Sequence, residues 1–230
     1  MTRTEHTPEI DVRVPVDLQA GRVEVSAAWA APEAPGAVVA VAHGAGAGYG
    51  HPFLVGFTRA LRAEGFATLR FNFPYVEAGR RMPGPAAHAV RTWSAVEAWI
   101  GEHAPGLALW ATGKSYGGRM ASMAAAEEAL HPAGLVYLGY PLHPPGDPAK
   151  ARVSHLPDVA PPQLFLQGTN DPFVQPRDQL KEAVASCQDA TLHWIEGAGH
   201  SFEIAGRKRP AETIAADLAP LVAEWIRRRE

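Results

Sequence analysis

The chain has very little cysteine: one residue, Cys187, in 230. An internal disulfide is therefore excluded, and such usage suits a reducing compartment. Cys187 falls late in a predicted surface helix, far from any motif, so no catalytic role is expected of it. An excess of positive charge is missing too. The 21 Lys and Arg face 24 Asp and Glu, a net charge of −3. Nucleic-acid binding needs a basic footprint and is not expected. The Arg227-Arg228-Arg229 run suits the negative end of a helix better than a phosphate. No apolar run approaches the roughly 20 residues that cross a bilayer. Met1–Glu9 is polar and lacks a signal-like apolar region, so a cytoplasmic location without a membrane partner is expected. No group of His, Cys and carboxylates has metal-ligand spacing, so no metal and no other cofactor is expected. Repeats and low-complexity tracts are absent.

What is present fits one globular domain. The chain is 47% hydrophobic and 20% charged, enough for a sizeable core. Residues 1–9 read as a polar tail and residues 10–230 as the domain. The Ala-, Arg- and Pro-rich usage points to a GC-rich bacterial genome.

Two alternating segments come first, Ile10–Leu18 and Arg22–Trp29. They predict an antiparallel hairpin with one wet face. Six short, mostly apolar runs follow: Ala37–Ala42, Phe66–Phe71, Leu107–Ala111, Leu135–Leu138, Leu164–Leu166 and Thr191–Ile195. Strands covered on both faces read this way. Helical stripes fall between them. Phe53, Phe57 and Leu61 share one face, with Gly65 at its end. Val90, Trp93, Val96 and Ile100 make a second stripe. Ile214, Leu218, Leu221 and Trp225 make a third, a single C-terminal helix starting near Pro210. The alternation predicts an α/β fold: a mostly parallel sheet of about eight strands with helices on both faces.

Within that frame the run Gly113-Lys-Ser-Tyr-Gly-Gly118 follows a predicted strand and precedes a small-residue helix. The G-x-S-x-G spacing marks a nucleophile elbow, a strained turn that lifts a serine hydroxyl clear of a sheet. A serine hydroxyl needs a base to take its proton, and the base needs a carboxylate to fix its tautomer. In this arrangement the partners follow in the order Ser, acid, His. Asp171 stands in Gly168-Thr-Asn-Asp-Pro172, and His200 in Gly197-Ala-Gly-His-Ser-Phe202. Each lies just past a predicted strand end. Singly they read as a turn aspartate and a loop histidine; together with Ser115 they read as a triad.

The oxyanion donors expected are the backbone N–H of Tyr116 and that of Ala45, with Gly46 next, in the Gly-rich loop His43-Gly-Ala-Gly-Ala-Gly48. A P-loop is not expected, because Leu109 stands four residues before Gly113 where a glycine is needed. His43 reads as a structural hydrogen-bonding residue. Arg119, one turn past Ser115, reads as a buried ion-pair partner in preference to a contact for a substrate anion. Gly44, Gly46, Asn72, Tyr75 and His143 are candidate pocket residues because they stand beyond predicted strand ends.

These motifs carry a resemblance. His43-Gly-Ala-Gly46, Arg70-Phe-Asn-Phe-Pro-Tyr75, Gly113-Lys-Ser-Tyr-Gly-Gly-Arg-Met-Ala-Ser122, Leu138-Gly-Tyr-Pro-Leu-His-Pro-Pro-Gly146, Gln167-Gly-Thr-Asn-Asp171 and Gly199-His-Ser-Phe202 span most of the chain. The chain resembles an α/β-hydrolase of the dienelactone-hydrolase-like branch. More narrowly, it resembles bacterial relatives of the testis-expressed hydrolase-like proteins and of a hydrolase-like subunit of a histone acetyltransferase complex. The resemblance implies the fold, Ser115 as nucleophile, and Asp171 and His200 as its partners. Dienelactone hydrolase proper has a cysteine where Ser115 stands. Cap domains in this class are inserted between the sixth and seventh strands. Here that interval, about Leu142 to Pro162, has room for one short helix. No large cap domain and a shallow, open site are therefore expected.

The function expected is a serine hydrolase acting on a small ester, thioester or other activated acyl substrate through an acyl-serine. The alternatives are a peptidase or amidase, and a non-catalytic binding module on a hydrolase fold. The partner expected is a small-molecule acyl substrate. Acyl length, leaving group and oligomeric state stay open.

Overall fold

Polar–apolar alternation at the start of the chain folds as the expected hairpin. In the computed structural model, which describes residues 8–229, β1 (Ile10–Leu18) pairs antiparallel with β2 (Gly21–Ala30). Val14, Val16, Val25 and Ala27 fill its inner face, while Arg13 and Asp17 face solvent. The expected polar tail falls largely on residues 1–7, outside the described residues. Glu9 lies within them and pairs with Arg62 at 2.9 Å and with Arg70.

The hairpin extends an eight-stranded sheet ordered β1-β2-β4-β3-β5-β6-β7-β8. The further strands are β3 (Val38–Ala42), β4 (Ala67–Phe71), β5 (Leu109–Lys114), β6 (Gly134–Leu138), β7 (Gln163–Gly168) and β8 (Ala190–Ile195). β2 meets β4 antiparallel, and from β4 to β8 all neighbours are parallel. β3 to β7 are buried at every residue. That is why they read as continuous apolar runs rather than alternating ones. β8, at the edge, is only partly buried.

Helices cover both faces. On one side lie α3 (Ala86–His103), α4 (Tyr116–Ala126) and α5 (Arg177–Ala185); on the other, α1 (Pro52–Ala63), α6 (Ala211–Ala216) and α7 (Ala219–Arg227). The short α2 (Pro74–Glu77) follows β4. α1 and α6 cross closely at Gly56, where a Cβ would stand 2.2 Å from the Glu212 carbonyl oxygen.

Two local expectations are corrected. The single C-terminal helix is broken into α6 and α7. Pro220 has no N–H to donate, and its ring would clash with the carbonyl four residues back. The buried stripe on these helices is Ala215, Leu218, Ala219, Val222, Ala223, Trp225 and Ile226, so Leu218 and Trp225 are buried as expected, while Ile214 and Leu221 are only half-buried. Cys187 lies just beyond α5, half-buried, with its thiol on the Ala183 carbonyl at 3.4 Å. Between β6 and β7 the chain makes two 3-10 turns, Pro148–Lys150 and Leu156–Asp158, and no cap domain.

All parallel strands point their C-terminal ends to one edge. The loops after β3, β5, β6, β7 and β8 meet there, which is where open α/β sheets bind ligands.

Candidate active site

Ser115 sits at the sharp turn between β5 and α4 with φ 50° and ψ −115°. An L-residue rarely adopts this backbone, and it holds here because the surroundings leave no alternative. A Cβ on Gly113 would lie 2.0 Å from the Gly118 nitrogen, and one on Gly117 would lie 2.7 Å from the His43 carbonyl oxygen. The glycines of the motif are thus points where backbone passes backbone.

The structure brings Ser115, His200 and Asp171 together. Ser115 Oγ lies 2.8 Å from His200 Nε2, and His200 Nδ1 lies 2.7 Å from Asp171 Oδ2. The carboxylate holds the proton on Nδ1, so Nε2 is left to accept from the serine hydroxyl. Asp171 is 0% exposed. Its Oδ2 also accepts from Gln167 Nε2 at 2.5 Å, and its Oδ1 from the Phe173 N–H at 2.8 Å. A buried carboxylate is stable only when its lone pairs are occupied in this way. The Phe173 ring lies against the His200 ring, centroids 4.2 Å apart. The histidine loop is pressed onto the end of β7: a Cβ on Gly168 would meet the Ala198 carbonyl oxygen at 2.3 Å.

Lys114, immediately before Ser115, was missed as a site residue. It is 8% exposed, and its Nζ donates to the His200 carbonyl oxygen at 2.9 Å. Burial pulls its pKa down to about 8, against the attraction of Asp171 and Glu203. Burial also holds His200 below the ordinary imidazole value; the Asp171 hydrogen bond opposes this and the Lys114 charge adds to it. Both effects favour a neutral imidazole, the form that accepts a proton.

The backbone N–H groups of Ala45 and Tyr116 have no acceptor among the described residues. Both residues line the same cavity as Ser115 and His200, about 690 Å³ in volume. Two free donors beside a serine hydroxyl suit an oxygen that becomes negative. Gly44 lines this cavity as well. The other candidate pocket residues do not. Gly46 turns the loop with φ 75°. Asn72 accepts from the Tyr49 N–H and donates to Glu77, both at 2.8 Å. Tyr75 faces a separate, smaller cleft with Phe73 and Tyr116. His143 is buried, with Nδ1 on the Pro144 carbonyl oxygen at 2.8 Å. Each stands beyond a strand end as expected, but local hydrogen bonds or packing turn it away.

His43 is the structural residue expected. Its Nε2 accepts from the Phe73 N–H at 3.1 Å, and Nδ1 donates to the Gly44 carbonyl at 2.8 Å. Burial pushes its pKa down to about 4, so it stays neutral.

The rest of the wall comes from Phe53 and Leu54 of α1, Met82 and Pro83 before α3, Phe173, and two arginines, Arg119 and Arg152. Arg119 does not make the ion pair expected of it: no carboxylate lies within salt-bridge reach among the described residues. No cluster of three or more His, Cys, Asp or Glu among the described residues has the geometry to hold a metal. No described helix is long and apolar enough to cross a membrane.

Known proteins share this architecture. A dienelactone hydrolase from Anabaena variabilis superposes with a TM-score of 0.75 at 24% identity, covering 97% of this chain and 99% of that one. A serine hydrolase homologue from Coxiella burnetii gives 0.71 at 20% identity, over 94% and 97%. A serine hydrolase without a lid from Xanthomonas campestris gives 0.70 at 23% identity, over 96% and 95%. At these identities the likeness establishes the fold. The family match is of a different kind, because the alpha/beta hydrolase domain covers residues 35–227. The chain belongs to the alpha/beta hydrolase family.

Proposed function

We propose that this protein is a serine hydrolase that cleaves small esters, thioesters or other activated acyl groups through an acyl-serine intermediate. The observation that carries this reading is the unbroken chain Ser115 Oγ, His200, Asp171, with contacts of 2.8 and 2.7 Å, opening into a cavity with two unpartnered N–H groups.

In the first half-reaction Ser115 Oγ attacks the substrate carbonyl carbon as its proton passes to His200 Nε2. The carbonyl electron pair moves onto oxygen, which the Ala45 and Tyr116 N–H groups receive. Asp171 stabilises the imidazolium without taking its proton. When the tetrahedral intermediate collapses, the bond to the leaving group breaks and His200 gives that group the proton. In the second half-reaction water attacks the acyl-serine, His200 takes the water's proton, and collapse returns it to Ser115 Oγ as the acid leaves. Atoms and charge balance, and no cofactor takes part.

The narrower kinship with testis-expressed hydrolase-like proteins belongs to the same proposal and rests on the motifs alone. The expected location is likewise cytoplasmic. Treatment with a fluorophosphonate probe tests the reading: Ser115 in the wild type takes the label, and the Ser115→Ala protein does not. Labelling that is equal in both proteins overturns it.

A further inference from the structure

Ser115 shares its cavity with two arginines that have no counter-charge. Arg119 projects from α4 one turn beyond the serine, and Arg152 from the loop between β6 and β7. No Asp or Glu among the described residues lines the cavity. Neither guanidinium makes a salt bridge or a side-chain hydrogen bond among the described residues, whereas Arg62 on α1 and Arg70 on β4 share Glu9. Arg119 Nε is shut off from solvent and has no hydrogen-bond partner among the described residues. The charged or titratable groups that interact with Arg119 are Arg152, the hydroxyls of Tyr140 and Tyr116, and the His155 imidazole, with no carboxylate among the described residues. Burial, together with Arg152, disfavours its charged form.

This is an unfavourable arrangement for an empty site. Two like charges close together repel, and the repulsion is larger where the surroundings are partly dry. A half-buried guanidinium with an orphaned donor loses hydration without return. An oxyanion reverses both terms. It meets the planar donor fork of arginine, and one anion can serve two guanidinium groups. The chain as a whole is acidic, at −3, so the positive lining is local to this cavity. The segment carrying Arg152 is held in place: His155 Nε2 lies 2.8 Å from Ser122 Oγ on α4, and the Tyr140 hydroxyl donates to the Arg152 carbonyl at 3.1 Å. α4 thus supplies both the first arginine and the anchor for the second.

Resting on the serine-hydrolase reading above, we infer that Arg119 and Arg152 form an anion subsite, and that the substrate is an acyl ester or thioester bearing a carboxylate or phosphate near its scissile carbonyl.

The test compares neutral with anionic esters. 4-Nitrophenyl butyrate is set against mono-4-nitrophenyl glutarate, which carries the charge on the acyl side. Phenyl acetate is set against 3-carboxyphenyl acetate, which carries it on the leaving group. At least one anionic ester is expected to exceed its neutral partner in kcat/KM by about ten-fold or more, as a charge-assisted contact implies. Arg152→Gln, at an exposed residue, should abolish that preference, lowering kcat/KM for the anionic ester about ten-fold more than for its neutral partner. Arg119→Gln should do the same. Calorimetric titration of the Ser115→Ala protein with glutarate and with inorganic phosphate reads the subsite without any chemistry and separates the two anions. Saturable binding that weakens in Arg152→Gln supports the inference. Ratios at or below one for both ester pairs, with neither anion binding, overturn it. Fluorophosphonate labelling judges the serine reading separately: a protein that takes the label yet ignores anions loses only the subsite, and one that binds anions but resists the label loses only the serine.

Discussion

Lys114 Nζ donates to the His200 carbonyl oxygen at 2.9 Å, so the residue before the proposed nucleophile holds the loop that carries its proposed base. The bond joins the end of β5 to the loop after β8, two segments far apart in sequence. It also places a cation near the imidazole, where it disfavours protonation. Lys114→Met removes both effects. The acid limb of kcat/KM should move to higher pH, because the repulsion that keeps His200 neutral is gone. A purely structural lysine would lower activity without moving that limb, so a pH profile of the two proteins distinguishes the roles.

The same lysine makes a prediction for stability. Its folded pKa, about 8, lies below the 10.5 of an ordinary lysine. Between those values the unfolded chain binds more protons than the folded one, so stability contributed by this group rises with pH. The cost of burying its charge is fully present below pH 8 and is relieved towards pH 10.5. Denaturant melts of wild type and Lys114→Met should therefore converge or cross in the wild type's favour as pH is raised through that window. A difference that is constant with pH counts against a strained lysine.

Ser115 holds a backbone of φ 50°, ψ −115°. Such a conformation costs a residue with a Cβ about 1–3 kcal/mol, and glycine far less. Ser115→Gly is expected to lose fluorophosphonate labelling and ester turnover yet to melt higher than Ser115→Ala. The gain should be about 2–4 °C per kcal/mol for a chain of this size. Equal melting temperatures for the two variants would mean that the elbow stores no strain.

How much of this was legible in the sequence depends on distance along the chain. Ser115, Asp171 and His200 were legible because each sits at a strand end marked by local pattern, and their order is fixed by the fold. The strands β3 to β7 were legible because burial on both faces writes a continuous apolar run. The cavity wall was not. Phe53 reads as core because its helix stripe is the same whether it meets a sheet or a pocket. Asn72 and His143 stand at strand ends like true lining residues, and only hydrogen bonds to Tyr49, Glu77 and Pro144 reveal that they turn away. Arg119 reads as an ion-pair partner in preference to an anion contact, and no local pattern decides between the two. The absence of a partner depends on every other loop in space, which no local pattern encodes. The break at Pro220 was written in the sequence, but the apolar stripe running through it concealed it.

His200 sets the pH dependence of the proposed reaction. Free imidazole titrates near 6.5, and burial places this one lower. The base is neutral above its pKa, so kcat/KM for a neutral ester should hold its plateau through pH 6.5 and fall only below it. Measurements from pH 8 to pH 4.5, with circular dichroism to follow folding, test this. A fall centred above pH 7 would mean that His200 is not the group that titrates.

Acyl length probes the openness of the site. Between β6 and β7 there are only two 3-10 turns, and Met82 on the cavity wall is 77% exposed, so nothing folds over a bound chain. A buried methylene contributes roughly 0.8 kcal/mol, or about four-fold in kcat/KM, but only while apolar surface is there to cover it. Phe173, partly exposed, offers such surface beside Ser115, while Phe53 and Leu54 back the wall with little exposure of their own. Beyond them a longer chain meets Met82, the arginines and water. Butyryl esters should therefore match or exceed dodecanoyl esters, with the gain per methylene fading after the first few carbons. A steady climb from acetyl to dodecanoyl in the wild type would refute the open site. It would place the chain between the loop holding Met82 and the segment holding Arg152, since those two lie on the same cavity.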